Sequence, residues 1–293
     1  MIDSFLKHLQ YEKRASPNTV LAYQNDLNQF HQFLQTKSVN AEVASADYSM
    51  VRSWIVQLVK SGMQAPSVNR KIACLRSFYK FLLRQEVITK DPMIKIKVLK
   101  SKKKLPGFVK EGDMVNLLDN QTFPETFEGC RDKLILELFY GTGIRLSELI
   151  FLQEKSIDLL NRTIKVLGKR NKERVIPFTS SLVSLIEKYR ILRSRDVHMK
   201  DHGNFFVTAT GESCYPMMIY RTVNDHLTRY TTLEKRSPHV LRHTYATHLL
   251  NKGAELNAVK DLLGHTSLAA TQVYTHNSME KLKKVFEQAH PKA

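Results

Sequence analysis

The segment SPHVLRHTYATHLL, Ser237 to Leu250, gathers side chains that bind and protonate oxyanions. Ser237 suits a helix N-cap and Pro238 the first helical position. His239 then lies in the first turn, with Arg242 three residues on and on the same side. A helix start offers unpaired N–H groups and a partial positive charge, and here an imidazole and a guanidinium are added, with no acidic residue in the segment. That turn is built to hold an anion such as phosphate. Leu241, Tyr245 and Leu249 supply the apolar stripe that buries the other side. A zinc reading fails on residue types: His239 and His243 are four apart, but an HExxH site needs Glu second, where this chain has Val240, and Arg242 would sit beside the metal. A structural histidine is the ordinary alternative for His239 alone.

Three further motifs bear on the choice. LLGHTSLAATQVYTH places His265 and, nine residues on, Tyr274; GTGIRLSEL places Arg145 just past a glycine-pinned turn; TIKVLGKRNKERVIPF carries lysines in the turn of a hairpin. With these residues the chain resembles the tyrosine recombinases of the phage integrase family, and most closely the bacterial Xer-type recombinases. The likeness runs from FLKHLQYEKRASPNTVLAYQNDLNQFHQFL through LRSFYKFLLRQ to YTH, nearly end to end. That family's site consists of two arginines, a hairpin lysine, two histidines and a tyrosine, which the resemblance carries to Arg145, Lys169, His239, Arg242, His265 and Tyr274. GKRNKER departs from the family in having Arg170 where glycine is common, so Lys169 is the first lysine candidate and Lys172 the second.

The implied roles agree with elementary chemistry. A phosphodiester under attack gathers negative charge on its non-bridging oxygens, and metal ions or fixed cations must neutralise it. The sequence has neither a carboxylate cluster suited to magnesium nor a GxxxxGK(S/T) loop, so neither metal nor nucleotide cofactor is expected. Two planar arginine forks hold the phosphate for in-line attack. Tyr274, with an ordinary phenol pKa of about 10, needs a base as it attacks, a role for His239. A hairpin lysine protonates the departing 5′ oxygen, and His265 adds a hydrogen bond to the phosphate. The expected product is a 3′-phosphotyrosine with a free 5′ hydroxyl, reversible by a second 5′ hydroxyl.

The elements that must position these groups form a mainly α fold in two domains, as 293 residues suggest. Residues 1–95 read as a four-helix, SAM-like core-binding domain. Val20, Tyr23, Leu27, Phe30 and Leu34 share one helical face, and Ile72, Leu75, Phe78, Tyr79 and Leu82 another, with Arg70, Lys71, Arg76, Lys80 and Arg84 over the outside. Residues 96–105 read as a linker, with five lysines in KVLKSKKKLP; a solvated tether and a strap along a phosphate backbone fit it equally. Residues 106–293 read as a mixed, mostly helical catalytic domain with small β-hairpins. In it two helices are separated by Gly141 and Gly143, a hairpin turns Ile164, Val166, Val175 and Ile176 inward, and a helix stops at Gly264, which holds His265 in a tight corner. Beyond Tyr274, Leu282, Val285, Phe286 and Ala289 share a helical face. The resemblance favours docking of that face on a neighbouring protomer, with docking on its own domain as the alternative.

Composition agrees with a polyanionic partner: 45 Lys and Arg against 28 Asp and Glu leave a formal charge of +17. No apolar run is long enough for a membrane span, no signal peptide opens the chain, and Cys74, Cys130 and Cys214 lack metal or disulfide spacing, so a cytoplasmic protein with reduced cysteines is expected. The resemblance implies double-stranded DNA with paired half-sites, a homo- or hetero-tetramer with a related recombinase joining two sites, and chromosome or plasmid dimer resolution. Integration or inversion by a mobile element, a type IB topoisomerase-like enzyme and a non-catalytic DNA-binding module stay open, as does activation by a DNA translocase.

Overall fold

In the first ninety residues two helices begin where a side chain satisfies a free N–H group. The Ser16 hydroxyl accepts from the Thr19 N–H at 3.3 Å, and Asp47 accepts from the Met50 N–H at 2.8 Å. The computed structural model describes residues 1–293 except 39–40, 101–106, 169–172, 199, 201, 265–284 and 292–293. It divides into two compact units, Met1–Lys104 and Leu105–Ala293.

The first unit holds α1 (Ile2–Lys7), which continues into a π turn at His8–Glu12, α2 (Pro17–Gln35), α3 (Tyr48–Lys60) and α4 (Ala65–Arg84). Leu27, Phe30 and Leu34 of α2 meet Ile72, Leu75, Phe78, Tyr79 and Leu82 of α4 in one core, closed by Phe5 and Trp54. Lys71, expected on the basic exterior, is instead 3% exposed. Its ammonium pairs with Asp26 at 2.7 Å, beside a second pairing of Asp26 with Arg70. Residues 96–99, read as the start of the linker, pack on this unit. Ile96 is buried, and the Asn69 amide bonds both polar groups of the Leu99 backbone, at 2.7 and 2.9 Å.

The second unit contains α5 (Glu111–Val115), α6 (Phe127–Thr142), α7 (Leu146–Ile150), α8 (Ser180–Asp196), α9 (Pro216–Tyr230), α10 (Pro238–Asn251) and α11 (Leu256–Leu263). A sheet of β1 (Ile157–Asp158), β2 (Thr163–Leu167) and β3 (Glu173–Pro177) is antiparallel throughout, in the order β1-β2-β3. The chain breaks only at Gly143: α6 runs through Gly141, where a Cβ would lie 3.3 Å from Leu182, whereas Gly143 takes φ +59°. α6 is buried nearly all round, with Leu134, Ile135, Leu138 and Phe139 in the core. In the hairpin the register sets Ile164 opposite Ile176 and Val166 opposite Arg174. The inward pair of β3 is therefore Arg174 and Ile176, while Val175, expected inside, is only half-buried.

Among the described residues no helix is long and apolar enough to cross a membrane. The three cysteines are free and buried.

Candidate active site

The end of α11 organises the site. Helix carbonyls in the last turn lack intrahelical partners and carry the negative end of the helix dipole. Here three successive carbonyls each accept from a different arginine. Leu262 O takes Arg174 Nε at 3.2 Å, Leu263 O takes Arg242 Nη2 at 2.6 Å, and Gly264 O takes Arg145 Nη2 at 2.9 Å. Gly264 ends the helix at φ +62°, and a Cβ there would lie 2.9 Å from Arg174 Cδ, so the corner admits only glycine without displacement.

Arg145 opens α7, directly after the turn at Gly143. Its backbone N–H donates to Glu148 Oε2 at 2.9 Å and its Nη1 to Glu148 Oε1 at 2.7 Å. Arg174 grips the same carboxylate with both terminal nitrogens, at 2.6 and 2.7 Å. Arg242 leaves α10 and donates from Nη1 to Gly143 O, which ties the α6–α7 turn to the end of α11. Arg174, Arg242 and Glu148 are all buried, and the Arg145 side chain is 30% exposed.

Three guanidinium groups against one carboxylate leave this group with surplus positive charge. Burial, then the charges of Arg145 and Arg174, push the Arg242 pKa down to about 9, so it stays protonated at neutral pH but would gain from an arriving anion. Burial alone would raise Glu148, but the hydrogen bonds and charge of Arg174, with those of Arg145, hold it below the ordinary carboxylate range. Each guanidinium has five N–H groups. The contacts named engage two on Arg242 and two on Arg145, so anchored forks keep donors for a phosphate.

Of the residues expected from sequence, Arg145 and Arg242 come together on one helix end. His239 lies exposed in the first turn of α10, three residues before Arg242. Ser237 occupies the N-cap position of α10, but its hydroxyl makes no capping bond. Lys169, Lys172, His265 and Tyr274 lie outside the described residues; β2 and β3 flank the two lysines, and Gly264 directly precedes His265. The absence of an acid around Arg242 holds only along the chain, since the fold brings Glu148 into its electrostatic environment. Sequence reasoning missed Glu148 and Arg174. Strict alternation from Ile176 would have pointed Arg174 inward, and Glu148 stands one helical turn past Arg145.

Of the segment after the tyrosine, residues 285–291 are described, with Leu282 outside them, and they pack on their own unit, the alternative to the expected docking on a neighbour. Phe286 and Ala289 are buried against Tyr245, Leu249, Val259, Leu262 and Leu263, and His290 Nε2 lies 3.2 Å from Tyr140 O. The Tyr245 hydroxyl, packed near His290, is buried with no hydrogen-bond partner among the described residues, and burial pushes its phenol further above its ordinary pKa.

Residues 108–281 match the phage integrase family, and residues 2–86 match its N-terminal SAM-like domain. The chain belongs to the phage integrase family. It is 36% identical over 317 residues to tyrosine recombinase XerC of Chlorobaculum parvum, covering 100% of this chain and 94% of that one. To tyrosine recombinase XerD of Staphylococcus haemolyticus it is 34% identical over 294 residues, covering 100% and 99%. The fold is shared with the XerH site-specific recombinase in its post-cleavage complex with a palindromic difH substrate, at TM-score 0.73 and 22% identity over 97% of this chain and 83% of that one. The chain is thus a site-specific tyrosine recombinase, an enzyme that cleaves and rejoins DNA.

Proposed function

We propose that this recombinase cuts duplex DNA through a 3′-phosphotyrosine on Tyr274 and exchanges strands between two paired half-sites, in the manner of an Xer enzyme resolving chromosome or plasmid dimers in the cytoplasm. Arg145 and Arg242 hold the two non-bridging oxygens of the scissile phosphate. The observation that supports this most is the anchoring of both guanidinium groups on the consecutive carbonyls of Leu263 and Gly264 at the end of α11, with Glu148 bonded to Arg145 and positive charge to spare. Preorganised donors of that kind stabilise charge that develops at the reacting phosphate.

His239 removes the phenolic proton as Tyr274 attacks phosphorus. The bond to the 5′ oxygen breaks, and Lys169, or Lys172 in its place, supplies that oxygen's proton. His265 donates to the phosphate. One phosphoester replaces another, so a 5′ hydroxyl from a second duplex reverses the step and completes exchange. Residues 1–95 and 106–293 form the two DNA-gripping domains joined by the basic linker 96–105, and two dimers, of this chain or of this chain with a related recombinase, bring two sites together.

The test is capture of covalent protein–DNA adducts across the host genome. Adducts confined to one short inverted-repeat sequence support a recombinase of this type. Adducts spread without sequence preference favour a topoisomerase-like enzyme, and insertion-flanked sites favour a mobile element.

A further inference from the structure

Arg174 is a buried arginine that the phosphate chemistry does not use. Its Nη1 and Nη2 are both turned onto Glu148, and its Nε onto Leu262 O. It is 5% exposed and faces inward from β3, opposite Val166 and two residues past the turn that carries the lysine candidates. Among the described residues of the hairpin, Lys165 pairs with Glu173 across the two strands, at 2.7 Å. Among the described residues, Arg174 is the hairpin side chain that reaches both Glu148 and the end of α11.

Arg145 does not depend on that bond alone. With Arg174 gone, Arg145 would keep its own backbone and side-chain bonds to Glu148 and its bond to Gly264 O. Arg242 would keep Gly143 O and Leu263 O. The phosphate-binding pair therefore has other anchors, and the hairpin loses its own.

We infer that Arg174 is a positioning residue: its two-pronged grip on Glu148 ties the lysine-bearing hairpin to the arginine pair, and so sets the lysine where it can protonate the departing 5′ oxygen. This rests on the assignment of the acid to Lys169 or Lys172. A planar fork that bonds a carboxylate at two points fixes direction as well as distance, which an ammonium on a flexible stem does not.

The test uses the full chain as Arg174→Lys, which keeps the charge, and Arg174→Met, which keeps the bulk. Each is assayed for adduct formation on two substrates, one ordinary and one with sulfur in place of the bridging 5′ oxygen. The sulfur leaves as a thiolate and needs no proton. Misplacement by about 1 Å is expected to slow adduct formation on the ordinary substrate by about 10–100-fold, with DNA affinity little changed, and the sulfur substrate should restore most of the rate. A merely structural role would slow both substrates alike. That outcome, an undiminished rate on the ordinary substrate, or failure of both variants to fold at growth temperature overturns the inference. Lys169→Ala and Lys172→Ala run alongside. If neither recovers on sulfur, the lysine assignment has failed; if one recovers and the Arg174 variants do not, the inference alone has failed.

Discussion

Gly143→Ala tests the joint on which the site is built. Gly143 sits at φ +59°, and a Cβ there would lie 2.6 Å from Tyr245 Cδ1 and 2.9 Å from Leu263 Cδ2, both in tightly packed helices. Gly253 provides the control in the same unit: it sits at φ +89°, and among the described residues no atom lies within 4 Å of its Cβ position. Alanine at either position takes on left-handed strain of about 1–2 kcal/mol. Only at Gly143 does overpacking add about 1–3 kcal/mol. The expected loss is thus about 2–5 kcal/mol at Gly143 and about 1–2 kcal/mol at Gly253. The single tryptophan, Trp54, lies in the first unit, so its fluorescence does not report the second. Hydrogen exchange of peptides from α6 and α10 in the full chain measures the difference directly. Because Gly143 O accepts from Arg242, Gly143→Ala should also slow adduct formation by at least about tenfold, while Gly253→Ala leaves it near wild type. Equal destabilisation by the two substitutions would refute the close packing of α6, α10 and α11 described here.

Tyr245→Phe removes a buried hydroxyl that has no partner among the described residues, so hydrogen exchange of α10 should show a gain of about 1 kcal/mol, with adduct formation retained. Glu148→Gln should lose stability in a pH-dependent way. The Glu148 pKa is depressed on folding, so its contribution is full above the unfolded value of about 4.3 and is lost as pH falls through the folded value; the gap between wild type and variant should be flat from about pH 5 to 8 and narrow below about pH 4. Asp26→Ala leaves Lys71 buried without its carboxylate and should destabilise the first unit by about 3–5 kcal/mol, read by Trp54 fluorescence in denaturant.

Helix positions and the place of Arg242 in an early helical turn were legible because they follow local rules, while Arg145 came from the family resemblance. Ser16 with Pro17, the apolar face of α4, and the glycine stop at Gly264 each declare themselves within a few residues. Glu148 and Arg174 did not, because their meaning lies in a partner 26 residues away: only the folded chain shows a buried carboxylate shared by two arginines. Lys71 was misplaced for the same reason, since an isolated lysine at that spacing reads as surface until Asp26, on another helix, arrives. Gly141 looked like a helix break because glycine is permissive, yet it is needed for close approach to Leu182 and keeps helical geometry. The docking of Phe286 and Ala289 depends on which apolar surface is nearest, and an amphipathic pattern does not specify that.

The role of Tyr274 as nucleophile is tested most directly by identifying the amino acid that becomes joined to DNA. Adducts trapped by the full-length recombinase would be digested with protease and nuclease, and the nucleotide-bearing peptide sequenced by mass spectrometry. A phosphotyrosyl linkage to a 3′ end at Tyr274 is expected, with no adduct from Tyr274→Phe. A nucleotide on any other residue, or an adduct that persists in Tyr274→Phe, would contradict it.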